Sequence, residues 1–517
     1  MLRLLYSACL LILTLPLLAQ IDAELEFCGS GQGRSPWLKA YQLKPDQYSK
    51  GGDTTMYVAM AIHILGTDDG IGYYSQSSML DAFCLLNELF EPSGIQFVLA
   101  GDVLYHDNSA YYDHSTVLEG YAMMSEYNVP NALNTYFVGN PAGNCGYNLP
   151  YAGIANSKSC SGPNDITWAH EVGHALSLPH PFLGWEGGVS WDGSVDHDFS
   201  DPAPERVTYD YTFFQDTLIL DTLIIDTAFV ERIDGSNCTF AADGFCDTPP
   251  DYLASRWSCN GNGVSSTTQH DPEGEAFQSE GSFIMNYAND ACQTQFTPEQ
   301  QQAMRAFLID QRSQWILDPT QPVPGPVTET PTLLAPIAGE TQTVFAGELN
   351  WEEVPDAEYY LVQVSRLSSF PAGIRSSYVT SETQLITEDL EDGRTYFWRV
   401  RAYNSYNSCS EFSDRESFMV EHPTSVAELE QIDEWRLSPQ PSLSGNTLQL
   451  RLSSSTSWTA QAEIVNSLGQ MMWQQPLNFS AGQQVVSLEG TDRLLPGMYV
   501  IRLRSDGQQS ALPLIIQ

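Results

Sequence analysis

One short stretch carries most of the chemistry that the residue types of this chain can offer. Residues 166 to 180 read Ile-Thr-Trp-Ala-His170-Glu171-Val-Gly-His174-Ala-Leu-Ser-Leu-Pro-His180. On a helix of about 3.6 residues per turn, His170 and His174 stand one turn apart on a single face, so two imidazoles reach one ion. Asn164 or Asp165 is placed to cap the start of that helix. Pro179 lacks an amide proton and disfavours helix in the residue before it, so the chain must leave the helix near Ser177 and bring His180 back to the same point. Three nitrogens hold zinc at about 2.0 to 2.1 Å and leave a fourth position open, which is what a catalytic zinc requires; closed structural sites usually draw on cysteine thiolates. Zinc there would lower the pKa of a water from about 15.7 towards about 7. Glu171, beside the first ligand, would take the released proton and hand it to a leaving amine. The cofactor expected is one catalytic Zn2+, and the substrate expected is a protein or peptide.

Such a site needs a frame. Met56-Tyr-Val-Ala-Met-Ala-Ile-His-Ile-Leu65 and Asn134-Thr-Tyr-Phe-Val138 read as buried strands, and Ser78 to Phe90 as a helix. His63 on the first strand, with His106 and His114, reads as structural or surface rather than as a ligand. Thr297, Pro298 and Gln300 supply an N-cap, a first-turn proline and a capping-box partner, which open a helix running through Leu308. Residues 186 to 235 form an acidic insertion whose alternating segment Asp216 to Ile225 reads as a hairpin near the cleft. Pro319 to Pro326 is a stiff proline-rich linker. Beyond it, residues 331 to 420 alternate apolar and polar in short runs, as in Tyr360-Leu-Val362-Gln-Val364 and Tyr396 to Ala402. A second β-rich unit begins near 425, with Leu448, Leu450 and Leu452 on one face, a turn at Asn466 to Gly469 and a late strand Gly497 to Leu503.

The whole composition narrows the partners. A chain of 517 residues fits two to four domains. Its 22 basic and 64 acidic residues give a formal charge of -42, which argues against nucleic acid or an anionic membrane, both of which need a Lys and Arg excess. Arg3 followed by the apolar run Leu10 to Leu18 and then Ala19 has the layout of a secretory signal, and no later stretch has the length of an integral membrane segment. An exported chain is permitted disulfides. Of its 10 cysteines, Cys9 lies in the signal, so an odd number remains and one must lack an intrachain partner.

The pattern H-E-x-x-H-x-x-G-x-x-H is the signature of metzincin zinc peptidases, and the chain resembles it except that Ser177 stands where the glycine is expected. Ser282-Phe-Ile-Met285-Asn-Tyr287 looks like the methionine turn that underlies the metal in that group. His174 to His180, Cys246-Asp-Thr-Pro249 and Met285-Asn-Tyr-Ala-Asn-Asp-Ala-Cys292-Gln-Thr-Gln-Phe296 narrow the resemblance to the pappalysin family, over residues 28 to about 315. It implies an α/β zincin fold: a twisted, mixed and mainly parallel sheet over the active-site helix, with substrate along an edge strand. It also implies a Cys259–Cys292 disulfide, and Cys145 with Cys160 could close the loop ahead of the helix. Tyr287 is by similarity a candidate to hydrogen-bond the tetrahedral intermediate, or else a packed core tyrosine. Asp243, Asp247 and Thr248 match a segment that binds Ca2+ in relatives. Phe27-Cys28-Gly29-Ser30 resembles the propeptide cysteine whose thiolate fills the open zinc position; the alternatives are a Cys28–Cys84 disulfide, or Cys409 as the odd thiol.

Further resemblances cover the rest. The Trp351 strand, Ala357 to Tyr360 and Thr395 to Ala402 resemble a fibronectin type III sandwich. Leu437-Ser-Pro-Gln-Pro441, Ile464 to Gly469 and Leu495-Pro-Gly-Met-Tyr499 resemble the C-terminal sorting domain of type IX secretion, except that the ending Ile515-Ile-Gln517 lacks the usual basic residue. The layout expected is thus a signal at 1–19, a short propeptide-like segment at 20–53, the zinc peptidase domain at 54–318, a linker at 319–330 and two all-β sandwich domains at 331–422 and 425–517. The function expected is that of a secreted zinc-dependent endopeptidase, with secretion machinery as a partner of the last domain. The alternative is a secreted binding or adhesion protein whose zincin domain is silent, and a further rival keeps the zinc but hydrolyses a non-peptide amide.

Overall fold

A strand buried on both faces should be apolar along nearly its whole length, and the run from Met56 meets that demand apart from His63. In the computed structural model, strand β1 spans Glu26–Cys28, helix α1 Pro36–Leu43 and strand β2 Met56–Gly66, with every residue of β2 buried except the half-buried Tyr57. The structure describes residues 26–31, 33–52, 54–186, 196–210, 225–342, 347–371, 374–387, 390–421, 429, 431–466, 470–505 and 508–517. The expected signal at 1–19, most of the expected hairpin at Asp216 to Ile225 and most of the turn at Asn466 to Gly469 lie outside them. The chain divides into two compact units, residues 1–74 with 81–321, and residues 75–80 with 322–517.

Along the chain follow α2 (Gln76–Phe90), in the first unit from residue 81, and then, all in the first unit, β3 (Ile95–Leu99), β4 (Leu104–Asp107), α3 (Val117–Tyr127), β5 (Leu133–Val138), β6 (Asn144–Leu149) and β7 (Gly153–Ser157). Seven strands form one mixed sheet in the order β1-β6-β7-β5-β2-β3, with β4 also on β2. Only β6 and β7 pair antiparallel; every other pairing in this sheet is parallel. Helix α4 (Thr167–Ala175) lies on this sheet, where Trp168 packs against Phe137 and Phe83 with ring centroids 5.0 and 5.7 Å apart. An antiparallel pair, β8 (Arg206–Asp210) with β9 (Ile225–Phe229), flanks the undescribed part of the acidic insertion.

Helix α5 (Pro298–Gln311) opens with the capping box read from sequence, Thr297 with Gln300. Its buried Arg305 donates to five backbone carbonyls, those of Lys50, Gly52, Thr54, Ser93 and Gly94, at 2.8 to 3.0 Å. Five donors in a rigid fork suit this arrangement.

The second unit is β-rich. Strands Leu333–Ala335, Gly347–Trp351 and Gln384–Thr387 form one sheet, and Glu340–Gln342, Tyr359–Ser365, Arg375–Thr380, Arg394–Tyr403 and Glu416–Val420 another. One core that includes Trp351, Tyr360 and Trp398 joins them. Residues 432–516 make two further sheets, of three and four strands, around a core in which Leu448, Leu450 and Leu452 are buried as their alternation predicts. Among the described residues no helix is long and apolar enough to cross a membrane.

Candidate metal centre

Helix α4 presents His170 and His174 from one face, and the way it ends delivers the third histidine. Ser177 has a φ of 75°, the left-handed conformation that a glycine adopts at no steric cost. Its amide bonds to the His174 carbonyl at 2.9 Å and that of Leu178 to the Gly173 carbonyl at 3.0 Å, the Schellman pairing that closes a helix. Sequence reasoning placed the helix start less well. Neither Asn164 nor Asp165 caps it: the Asp165 carboxylate accepts from the Gly162 amide instead, and the Ile166 amide donates to Asp290, so a tertiary partner replaces the local one. Gly173 is required for packing, since a side chain there would strike the sulfur of Met285, which lies fully buried beneath the helix.

The Nε2 atoms of His170, His174 and His180 converge to within 3.0 to 3.1 Å of one another. Each ring is fixed from its far side. His170 Nδ1 meets the Ile284 carbonyl at 2.8 Å, His174 Nδ1 the Leu178 carbonyl at 2.8 Å, and His180 Nδ1 the Glu186 carboxylate at 2.9 Å. Carbonyls only accept, so the protons of His170 and His174 sit on Nδ1; a carboxylate sets the same tautomer for His180. Three Nε2 lone pairs therefore face one point, and they repel unless a cation lies between them. Ligands around a tetrahedral zinc stand about 3.3 Å apart, close to the spacing here, so the donor set fits zinc. Burial and mutual proximity keep the imidazoles from protonating: His170 and His174 are driven well below the usual histidine range, and His180 is lowered to about 3 by burial.

Cys28, at the end of β1, is brought to the same point. Its Sγ is 3.5 Å from His174 Nε2, and with the three imidazole nitrogens it forms a cluster of atoms all within 4.8 Å of one another. It is the free cysteine among the described residues, whereas Cys84 and Cys409 are both disulfide-bonded; the Cys28–Cys84 pairing and the odd Cys409 are thereby corrected. Burial and the nearby Glu171 push the thiol well above its ordinary value. Cys145 is bonded to Cys160, Cys259 to Cys292 and Cys238 to Cys246, the last a pair that the sequence did not single out.

Glu171 is buried next to this cluster, and burial raises its carboxyl to about 7. Ser30 donates to it at 2.7 Å, while the Ser30 amide donates to Cys28 Sγ at 3.3 Å. Tyr287 meets His180 edge-on with ring centroids 4.9 Å apart, and burial together with Cys28 raises its phenol. A cavity of about 290 Å³ opens beside His174, lined among others by Trp37, Leu149, Tyr151, Ser177 and Arg312.

Away from the cluster, Asp243 Oδ2, Asp247 Oδ1 and Thr248 Oγ1 are buried without a hydrogen-bond partner of good geometry. Burial raises the Asp243 carboxyl to about 7. His63 and His106 bond to each other at 3.0 Å, with His63 also on Asn134; His114 bonds to Tyr147, and none of these three joins the metal cluster. Two residues of the site escaped sequence reasoning, Ser30 and Glu186. The only signal for either was proximity in sequence, to Cys28 and to His180.

No family model matches the chain, and no curated protein matches it. Among solved structures it is similar to a promirolysin mutant of Tannerella forsythia, at 17% identity and a TM-score of 0.36, over 56% of this chain and 97% of that one. The FN1-FN3 domains of chicken CNTN1 match at 10% identity and a TM-score of 0.17, over 37% and 68% of the two chains. An alpha-L-rhamnosidase from Dictyoglumus thermophilum matches at 12% and 0.16, over 36% and 29%.

Proposed function

We propose that the chain is a zinc-dependent endopeptidase of the pappalysin-like metzincin kind, held latent by its own Cys28. One observation carries this reading: three imidazoles with their Nδ1 protons fixed elsewhere turn their Nε2 lone pairs on one point, with the carboxylate of Glu171 beside it. His170, His174 and His180 would hold the metal. Zinc, when bound, supplies a Lewis acid that polarises a carbonyl and acidifies a water. Glu171, buried beside the three nitrogens, can serve both halves of the proton traffic. As carboxylate Glu171 takes a proton from the attacking water; as acid it returns one to the departing amine. Tyr287, edge-on to His180, would donate to the oxyanion once Cys28 has left.

In the latent form the Cys28 sulfur, 3.5 Å from His174 Nε2, would be the fourth donor to a bound metal, and the Ser30 hydroxyl donates to Glu171, so one turn of chain would cover both metal and base. Asp243, Asp247 and Thr248 are assigned to Ca2+, because partnerless buried oxygens are what such an ion satisfies. The β sandwiches after the linker are assigned as a fibronectin type III domain and a type IX sorting domain, and the protein as secreted.

Zinc content and cleavage of a mixed peptide library by the purified mature chain, beside Glu171→Ala, test the reading. Wild type should bind one zinc and cleave; the variant should bind zinc and lose at least about a hundredfold in turnover. If both bind zinc and neither cleaves, the silent binding protein replaces the peptidase.

A further inference from the structure

Building on the peptidase reading, we propose that the pocket now holding Phe27 selects the substrate, and that it takes an aromatic side chain next to the bond to be cut. Strand β1 lies along β6, pairing Cys28 with Gly146, and places residue 28 over the three imidazole nitrogens. The side chain one residue away therefore occupies the space open to a residue flanking the reacting bond of any extended chain in the same place. Phe27 is 7% exposed there.

The walls are specific in kind. Tyr287 and His170 meet the Phe27 ring edge-on, each with centroids 5.1 Å apart. The Arg256 guanidinium lies 4.0 Å from the centroid of the same ring. Aromatic rings pair edge to face with one another and offer their faces to a cation, so all three walls favour an aromatic group. Arg256 is itself fixed by the Ala288 carbonyl and by Asp290 at 3.0 Å, and Tyr287 is backed by Phe182 at 4.5 Å. These residues lie far along the chain from β1, so the pocket persists when β1 departs. An aliphatic side chain would fill the volume but offer no π face. A lysine or arginine would set a second cation against Arg256. A carboxylate would meet a guanidinium already paired with Asp290, inside otherwise aromatic walls.

Two measurements on the mature chain test this. In a peptide library, Phe, Tyr or Trp should be enriched at a position flanking the cut, with kcat/KM about tenfold or more above Ala, Lys or Asp there; Arg256→Gln should narrow the ratio of Phe to Leu. Independently of turnover, a fluorescent peptide of residues 22–33 carrying Cys28→Ser should bind the Glu171→Ala chain, and adding Phe27→Lys to it should weaken binding at least about tenfold. Cleavage with no aromatic preference at either flank, or binding indifferent to Phe27→Lys, overturns the pocket and leaves the peptidase standing. Failure to cleave any peptide overturns the peptidase, and this inference with it.

Discussion

Ser177 shows what a single residue decides at this site. Its left-handed backbone turns the chain so that His180 points back, at a steric cost that a glycine would escape. The convergence of the three imidazoles was legible because helical spacing and a proline fix it locally. Ser30 and Asp290 were not, since only the folded chain brings them to Glu171 and to the Ile166 amide, and Glu186 was marked by nothing but its nearness to His180. His63 carries a prediction at this scale. Burial lowers its pKa from about 6.5 to about 4, so the folded chain keeps it neutral where the unfolded chain protonates. The stability it contributes is whole above pH 6.5. It is lost as pH falls from there to about 4, by about 1.4 kcal/mol per unit and about 3 kcal/mol in all. Urea denaturation at pH 6.5 and pH 4.5 should give a smaller loss for His63→Gln than for wild type, and equal losses would refute the assignment.

At the scale of elements, β1 is a strand lent to the sheet by the segment whose Cys28 is proposed to shut the site. The unprocessed full chain carrying Cys28→Ala should hold zinc and cleave peptides at least about tenfold faster than unprocessed wild type. Equal rates would show that the thiol is not the lock. The loop carrying Asp243, Asp247 and Thr248 gives a second expectation. Chelation of Ca2+ should lower the Tm of wild type but not of Asp243→Asn, and adding calcium at a hundred times its Kd should restore about 2.7 kcal/mol. A wild-type Tm indifferent to calcium would remove that ion from the account. Strands β2 and β5 and helix α5 could be read from apolar runs and caps, which act within a few residues. The cap of α4 could not, because Asp165 found the Gly162 amide first.

For the whole molecule, acidity is the property that sequence alone supplies in full. A formal charge of -42 makes the compact state repel itself. Raising sodium chloride from about 0.01 M to about 0.15 M shortens the screening length from about 30 Å to about 8 Å. With calcium held constant, Tm should rise over that range; a flat or falling Tm would show that the charges are spaced widely enough to be harmless. The succession of a mixed sheet with helices and then all-β sheets was legible from the change in periodicity past Pro319. The strand order was not, because β6 and β7 reverse direction inside an otherwise parallel sheet with nothing local to announce it.

The Arg305 fork bears on the order in which this unit can be made. It closes loops of more than 200 residues, joining α5 to the carbonyls at positions 50 to 54 and at 93 and 94. Those carbonyls have no such donor until α5 has been synthesised, so the strands that begin and end the loops cannot reach their final state while the chain is still emerging. Contacts of such long sequence separation slow folding and defer it to the complete chain. If the chain is exported as proposed, late completion would keep it unfolded while it is threaded across a membrane, before the candidate metal centre is assembled.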